Sequence, residues 1–224
     1  MTNRVDSPTI AAVLDRLHAA AEANDQPVME RAILAAAARS ASSDEEIADA
    51  LSDAFMCVDP VNGRLLHLLA LTRPEGRIVE FGCSMGLSTI YLAAALEVGE
   101  APMITTELEP TKIAAARTHV TEAGLDDRVE FFCGDALTTL SALDTPISLL
   151  FLDGWKALYL PLLQLLEPHL VDGALVIADD TLHPALAHLT VDYRRYVNDP
   201  SSPYASVSLA VDDGIELSRY HRQP

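Results

Sequence analysis

Three aspartates and a lysine are the residues best placed for chemistry. Asp153 follows the apolar run 147–152, and Asp179 and Asp180 follow a second apolar run, 174–178. Carboxylates gathered at the ends of neighbouring strands repel one another unless a hard cation sits among them. An all-oxygen ligand set favours Mg²⁺ over Zn²⁺. The plainer alternative is that Asp179 and Asp180 cap the helix that follows. Lys156, three residues after Asp153, falls on the same first helical turn. Beside a divalent cation the charged form of a lysine is disfavoured, so its pKa is expected to fall from about 10.4 toward the working range of a general base. The alternative is a solvated lysine that neutralises an acidic rim. The histidines supply no competing metal set, since His183 and His188 are five apart and off a shared helix face.

A second constellation surrounds a glycine loop. The run Ile78, Val79, Phe81 breaks at Gly82, a second glycine follows at Gly86, and a helical pattern begins at Leu87. Strand, glycine loop and helix bring backbone close to a ligand and leave N–H groups free to donate. A purely structural turn would read the same way. Glu107 ends the next strand, where a carboxylate can accept both hydroxyls of a ribose; its alternative is a surface acid before a helix. Asp135, one strand further on, could accept the exocyclic amine of an adenine. The loop is G-x-x-x-G and lacks the G-x-G-x-x-G spacing that cradles a pyrophosphate. That favours adenosylmethionine, which carries no phosphate, over a dinucleotide. Hydroxyls such as Ser84 and Ser88 suit its methionine carboxylate.

The elements that must position these residues alternate along the chain. Strands are expected over 77–81, 103–106, 129–133, 147–152 and 174–178, with helices over 61–71, 87 onward, 111–123 and 157–166 and after Pro184. The run 147–152, apolar apart from Ser148, fits a parallel strand buried on both faces. The tail, 206–220, reads as a hairpin turning at Asp213-Gly214. The fold class is therefore α/β, a doubly wound, mostly parallel Rossmann-like sheet with a C-terminal antiparallel hairpin. Its ligands bind outside the carboxyl ends of the strands. Residues 1–55 read as an N-terminal helical extension to a unit spanning 56–224. One helix starts at Ser7-Pro8, a second has Pro27 at its first position, and a third opens with the capping box Ser43-Asp44-Glu45-Glu46 and carries Ile47, Leu51 and Phe55. These helices read first as a packing layer, with a lid or an interface as alternatives; their alanine-rich faces motivate the expectation of a homodimer.

Composition bounds the partners. The 224 residues carry 15 Lys+Arg against 33 Asp+Glu, a net charge of −18, so a basic face for nucleic acid or for an anionic membrane is not expected. No basic-then-apolar leader and no bilayer-length apolar run is visible, and Cys57, Cys83 and Cys133 show no metal spacing. A cytoplasmic protein with reduced thiols is the expectation.

These segments resemble a family. Residues 80–88 (E-F-G-C-S-M-G-L-S) and 104–110 (I-T-T-E-L-E-P) are similar to the first and second motifs of class I adenosylmethionine-dependent O-methyltransferases of the cation-dependent, catechol O-methyltransferase-like type. Residues 151–161 (F-L-D-G-W-K-A-L-Y-L-P) resemble that family's metal-and-lysine segment, 177–180 (I-A-D-D) its acidic pair, and 56–58 (M-C-V) the stretch bordering cofactor and substrate. The resemblance implies Asp153, Asp179 and Asp180 as Mg²⁺ ligands and Lys156 as the base. It also implies Glu107 on the ribose and Asp135 on the adenine, with Val58, Glu80, Gly82, Ser84 and Ser88 at the methionine end. Asp153 and Trp155 would lie beside the cofactor. The implied substrate is a small aromatic molecule with vicinal hydroxyls. Two departures stand out: Asp180 replaces the family's usual Asn, and its C-terminal acid has no match, the position falling near Val207. A metal-independent methyltransferase and a non-catalytic adenosylmethionine-binding protein are the rival readings.

Overall fold

The computed structural model of the protein describes residues 4–37 and 53–222. Seven strands form one sheet: β1 (Arg77–Phe81), β2 (Met103–Glu107), β3 (Val129–Cys133), β4 (Ile147–Leu152), β5 (Leu170–Ala178), β6 (Tyr204–Leu209) and β7 (Ile215–Tyr220). Their order is β3-β2-β1-β4-β5-β7-β6. The first five are parallel, and β7 runs antiparallel between β5 and β6. All six residues of β4 are buried, as a central parallel strand covered on both faces requires.

Helices α1 (Pro8–Ala37), α2 (Pro60–Thr72), α3 (Leu87–Ala93), α4 (Pro110–Glu122), α5 (Ala136–Thr139), α6 (Tyr159–Leu166) and α7 (Val191–Val197) flank the sheet. One core layer gathers Ile78, Leu149 and Phe151 with Leu17, Leu66 and Ile90 from the helices; the other gathers Val79, Leu150 and Leu152 with Leu162 and Leu166. Asp59 caps α2, accepting from the Val61 and Asn62 amides, and Pro60 occupies its first turn.

The N-terminal helices differ from expectation. Pro27 does not open a second helix; it lies inside α1, which runs unbroken for 30 residues. Ile10, Val13, Leu14, Leu17, Ala21 and Val28 are buried at helical spacing, so one apolar stripe passes straight across the proline. Burial of that stripe outweighs the single backbone hydrogen bond that proline removes. Phe55, expected in a third helix, lies outside any helix, while the capping box, Ile47 and Leu51 lie outside the described residues. Among the described residues, no helix is long and apolar enough to cross a membrane.

Sheet register sets up the site. Phe81 pairs with Leu152, and Leu152 with Ala178. The ladder then continues beyond the strands, because the Asp153 amide donates to Phe81 O at 2.9 Å and the Asp179 amide to Leu152 O at 3.0 Å. Gly82, Asp153 and Asp179 therefore stand side by side on the carboxyl rim. The strand order reverses between β1 and β4, where open α/β sheets hold their ligands.

Candidate active site

The glycine loop and the loop after β4 touch. Gly82 has φ of 90°, and a Cβ there would lie 2.8 Å from the Asp153 carbonyl oxygen, so only glycine fits. Gly86, with φ of 88°, is the residue before α3. Ser88, in the first turn of α3, is buried, and so is Val58 in the segment before α2.

Glu107 locks the loop from the β2 side. Its Oε2 accepts from the Ser84 amide at 2.9 Å, and its Oε1 from the amides of Leu108 and Glu109 at 2.8 and 3.0 Å. Three backbone donors fix the carboxylate before any ligand arrives. The Ser84 hydroxyl is engaged within the protein: it donates to Phe55 O at 2.6 Å and accepts from Lys112 Nζ at 3.1 Å. Glu80 has no exposed surface and sits beneath the loop rather than along it, its Oε2 accepting from Thr89 and Thr105, each at 2.6 Å. Burial pushes this carboxyl up, against the hydrogen bonds from Thr105 and Thr89. Asp135 caps α5, where its Oδ2 accepts from the amide and the hydroxyl of Thr138; those bonds hold its pKa down.

The acid–lysine cluster is the electrostatic centre. Lys156 is buried, with Nζ 2.8 Å from Asp180 Oδ2, 3.3 Å from Asp153 Oδ1 and 2.8 Å from the Tyr159 hydroxyl. The Tyr159 hydroxyl donates onward to Asp179 O at 3.2 Å. Asp180 takes a left-handed backbone, φ 55°, and its amide donates to Asp179 Oδ1 at 3.0 Å. Burial, with repulsion from Asp180, pushes Asp179 up to about 7. Burial likewise pushes Asp153 well up, and Asp179 and Asp180 add to the shift while Lys156 opposes it.

Lys156 runs opposite to the expectation of a depressed pKa. Burial disfavours its charge, but Tyr159, Asp153 and Asp180 outweigh burial and hold its pKa well above the usual lysine value. The expected fall presumes a cation on those carboxylates; in this arrangement the lysine itself is their counter-charge. Trp155 is half-buried against the core layer that contains Phe81 and Leu152.

Sequence reasoning missed two members of this site. Tyr159 was read as part of a helix, although its place three residues after Lys156 puts it one turn away. Asp212, in the turn between β6 and β7, is raised by burial and then by Asp59, and its charge also reaches Asp179.

The donor set suits a hard divalent ion in chemistry: three carboxyl groups, largely withdrawn from water, face a single ammonium, and burial with mutual repulsion makes their negative charge costly without a further cation. It is not a ready-made cage, since among the described residues no three His, Cys, Asp or Glu side chains converge closely enough to hold an ion.

A parallel sheet with this strand order, an antiparallel β5-β7-β6 edge and a carboxylate-anchored glycine loop at the switch point is a Rossmann-like methyltransferase architecture. Residues 79–181 match the methyltransferase domain family. Catechol O-methyltransferase of Sus scrofa is 30% identical over 176 residues, covering 74% of this chain and 93% of the pig protein. The catechol O-methyltransferases of Niastella koreensis and Mus musculus are 32% and 30% identical over 56% and 74% of this chain. The chain spans about three fifths of the length of those two relatives, 58% and 65%. The solved O-methyltransferase TomG of Streptomyces achromogenes, in complex with SAM, shares the fold with a TM-score of 0.67 at 24% identity, over 85% of this chain and 95% of TomG. The chain belongs to the catechol O-methyltransferase-like family of class I adenosylmethionine-dependent O-methyltransferases.

Proposed function

We propose that this protein transfers a methyl group from adenosylmethionine to one of two adjacent hydroxyls on a small aromatic molecule, with Mg²⁺ held by Asp153, Asp179 and Asp180. The observation that carries the reading is the buried Lys156 ammonium lodged between Asp153 and Asp180 on the rim that also bears the glycine loop. Family membership supports the transfer chemistry, and the similarity to catechol O-methyltransferases supports the catechol-like substrate.

When bound, the sulfonium supplies an electrophilic methyl, and a divalent ion lowers the pKa of a chelated hydroxyl. Glu107 orients the ribose. The glycine loop lets backbone approach the methionine end. Lys156, whose pKa is held up by Tyr159, Asp153 and Asp180, would become a proton acceptor once the two carboxylate charges are neutralised. Tyr159 holds its amine in place while it receives the hydroxyl proton. The protein then contributes alignment of oxygen, methyl and sulfur.

One observation favours a second reading. Lys156 already pairs with two of the three carboxylates, and among the described residues no three ligands converge, as a metal-independent methyltransferase would have it. Mass spectrometry on reactions containing adenosylmethionine, a vicinal diol or a monophenol, and either Mg²⁺ or EDTA separates the readings. Methylation of the diol that EDTA abolishes and Mg²⁺ restores is the expected result. Equal methylation in EDTA establishes the metal-independent reading, and adenosylmethionine binding without any methylation defines a binding protein.

A further inference from the structure

The segment 53–59 crosses the carboxyl rim as a strap between α1 and α2. Its first end is tied to α1: Asn24 Nδ2 donates to Asp53 O at 2.6 Å, and Asp25 accepts from two amides further on, Oδ1 from Phe55 N at 2.7 Å and Oδ2 from Met56 N at 2.9 Å. Its middle is tied to the glycine loop through Phe55 O, which accepts from the Ser84 hydroxyl at 2.6 Å. Its far end is the Asp59 cap of α2, and Cys57 between them lies near enough to Asp153 to feel its charge.

Ser84 is where the strap and the ligand rim meet. Its amide is held by Glu107, its hydroxyl by the strap, and Lys112 Nζ donates to that same hydroxyl. Met56 and Ser84, the residues at the two junctions, both have left-handed backbones, φ 44° and 45°. A non-glycine residue stays in that region only where surrounding bonds over-determine it. At Met56 the over-determining bond is the one to Asp25.

We infer that Asp25 is a positioning residue for the cofactor: through the strap it fixes Ser84, and with it the Glu107 carboxylate. The inference rests on the adenosylmethionine reading above. Asp25 lies on α1, and its bonds to Phe55 and Met56 span thirty positions, so no motif spacing reveals it. A carboxylate is required because both its oxygens accept from backbone N–H groups; a carboxamide offers one acceptor and sets a donor against the other N–H.

Calorimetric titration of the full chain with S-adenosylhomocysteine tests this. Asp25→Ala is expected to weaken binding about tenfold, within the usual range for coupling through a shared element. Exchange of the Phe55 and Met56 amides should quicken. Asp25→Asn should fall between Asp25→Ala and wild type. In turnover the loss should appear in KM for adenosylmethionine and not in kcat, a split that general destabilisation does not produce. Wild-type affinity in Asp25→Ala overturns the inference while leaving the cofactor reading intact. Should Asp25→Ala not fold, Asp25→Asn decides, and wild-type affinity there overturns it equally. A wild-type protein that fails to bind S-adenosylhomocysteine overturns both.

Discussion

Lys156 and Tyr159 form one hydrogen-bonded unit, with Nζ 2.8 Å from the phenolic oxygen, and the phenol passes the contact on to Asp179 O. A single tyrosine thereby joins the loop after β4 to the end of β5, tying the lysine to the backbone that presents Asp179 and Asp180. The ring is fully buried and packs edge-on against Tyr193 at 5.8 Å, so the hydroxyl has little freedom to move. Tyr159→Phe keeps that packing and removes one charge-assisted bond, worth about 1.5–3 kcal/mol. Steady-state kinetics should show kcat reduced about tenfold, or about 1.4 kcal/mol of barrier, with adenosylmethionine affinity unchanged. An unchanged kcat would show that Asp153 and Asp180 alone hold the lysine.

Glu107 offers a test of cofactor identity. Its removal leaves ribose hydroxyls without their charged acceptor, so Glu107→Ala should weaken adenosylmethionine by about 1–3 kcal/mol. It also releases the Ser84 amide, which makes the upper end of that range the expected value. NAD should give no binding heat with the wild type, and tight NAD binding would refute the choice of cofactor.

The sheet was legible in the sequence because its strands are short apolar runs that end abruptly in glycine or acid. Runs such as 147–152 admit one reading, and the positions of Gly82, Glu107, Asp153 and Asp179 on a common rim follow from it. Contacts between distant segments were not legible. Nothing in the spacing of Ser84 indicates that its hydroxyl is spent on Phe55 O, or that Asp25 grips the strap. The resemblance set Glu80 at the methionine end, whereas strand alternation turns its carboxyl inward toward Thr89 and Thr105. Pro27 misled because proline is informative at a helix start only when no buried stripe carries the helix across it.

His67 sets a pH dependence that can be isolated. Its Nδ1 donates to Tyr91 O at 3.0 Å, and its buried Nε2 has no partner among the described residues. Burial holds its pKa below the ordinary 6.5, although the Tyr91 bond pulls the other way. Below pH 6.5 the unfolded chain therefore binds a proton that the folded chain resists, so stability is retained above that pH and lost as the pH falls through it. Thermal melts from neutral to mildly acidic pH should show a declining melting temperature, and His67→Phe should flatten the decline. Identical slopes for the two proteins would mean that His67 titrates normally in the fold.

The central claim is that Lys156 moves the proton in methyl transfer. The decisive measurement is kcat for a vicinal diol with Lys156→Met, which keeps the length of the side chain and removes its nitrogen. Loss of a general base predicts a fall of about 10²–10⁴, with adenosylmethionine affinity preserved. Turnover of the diol by Lys156→Met at the wild-type rate would contradict the account and leave Lys156 as nothing more than the counter-charge of Asp153 and Asp180.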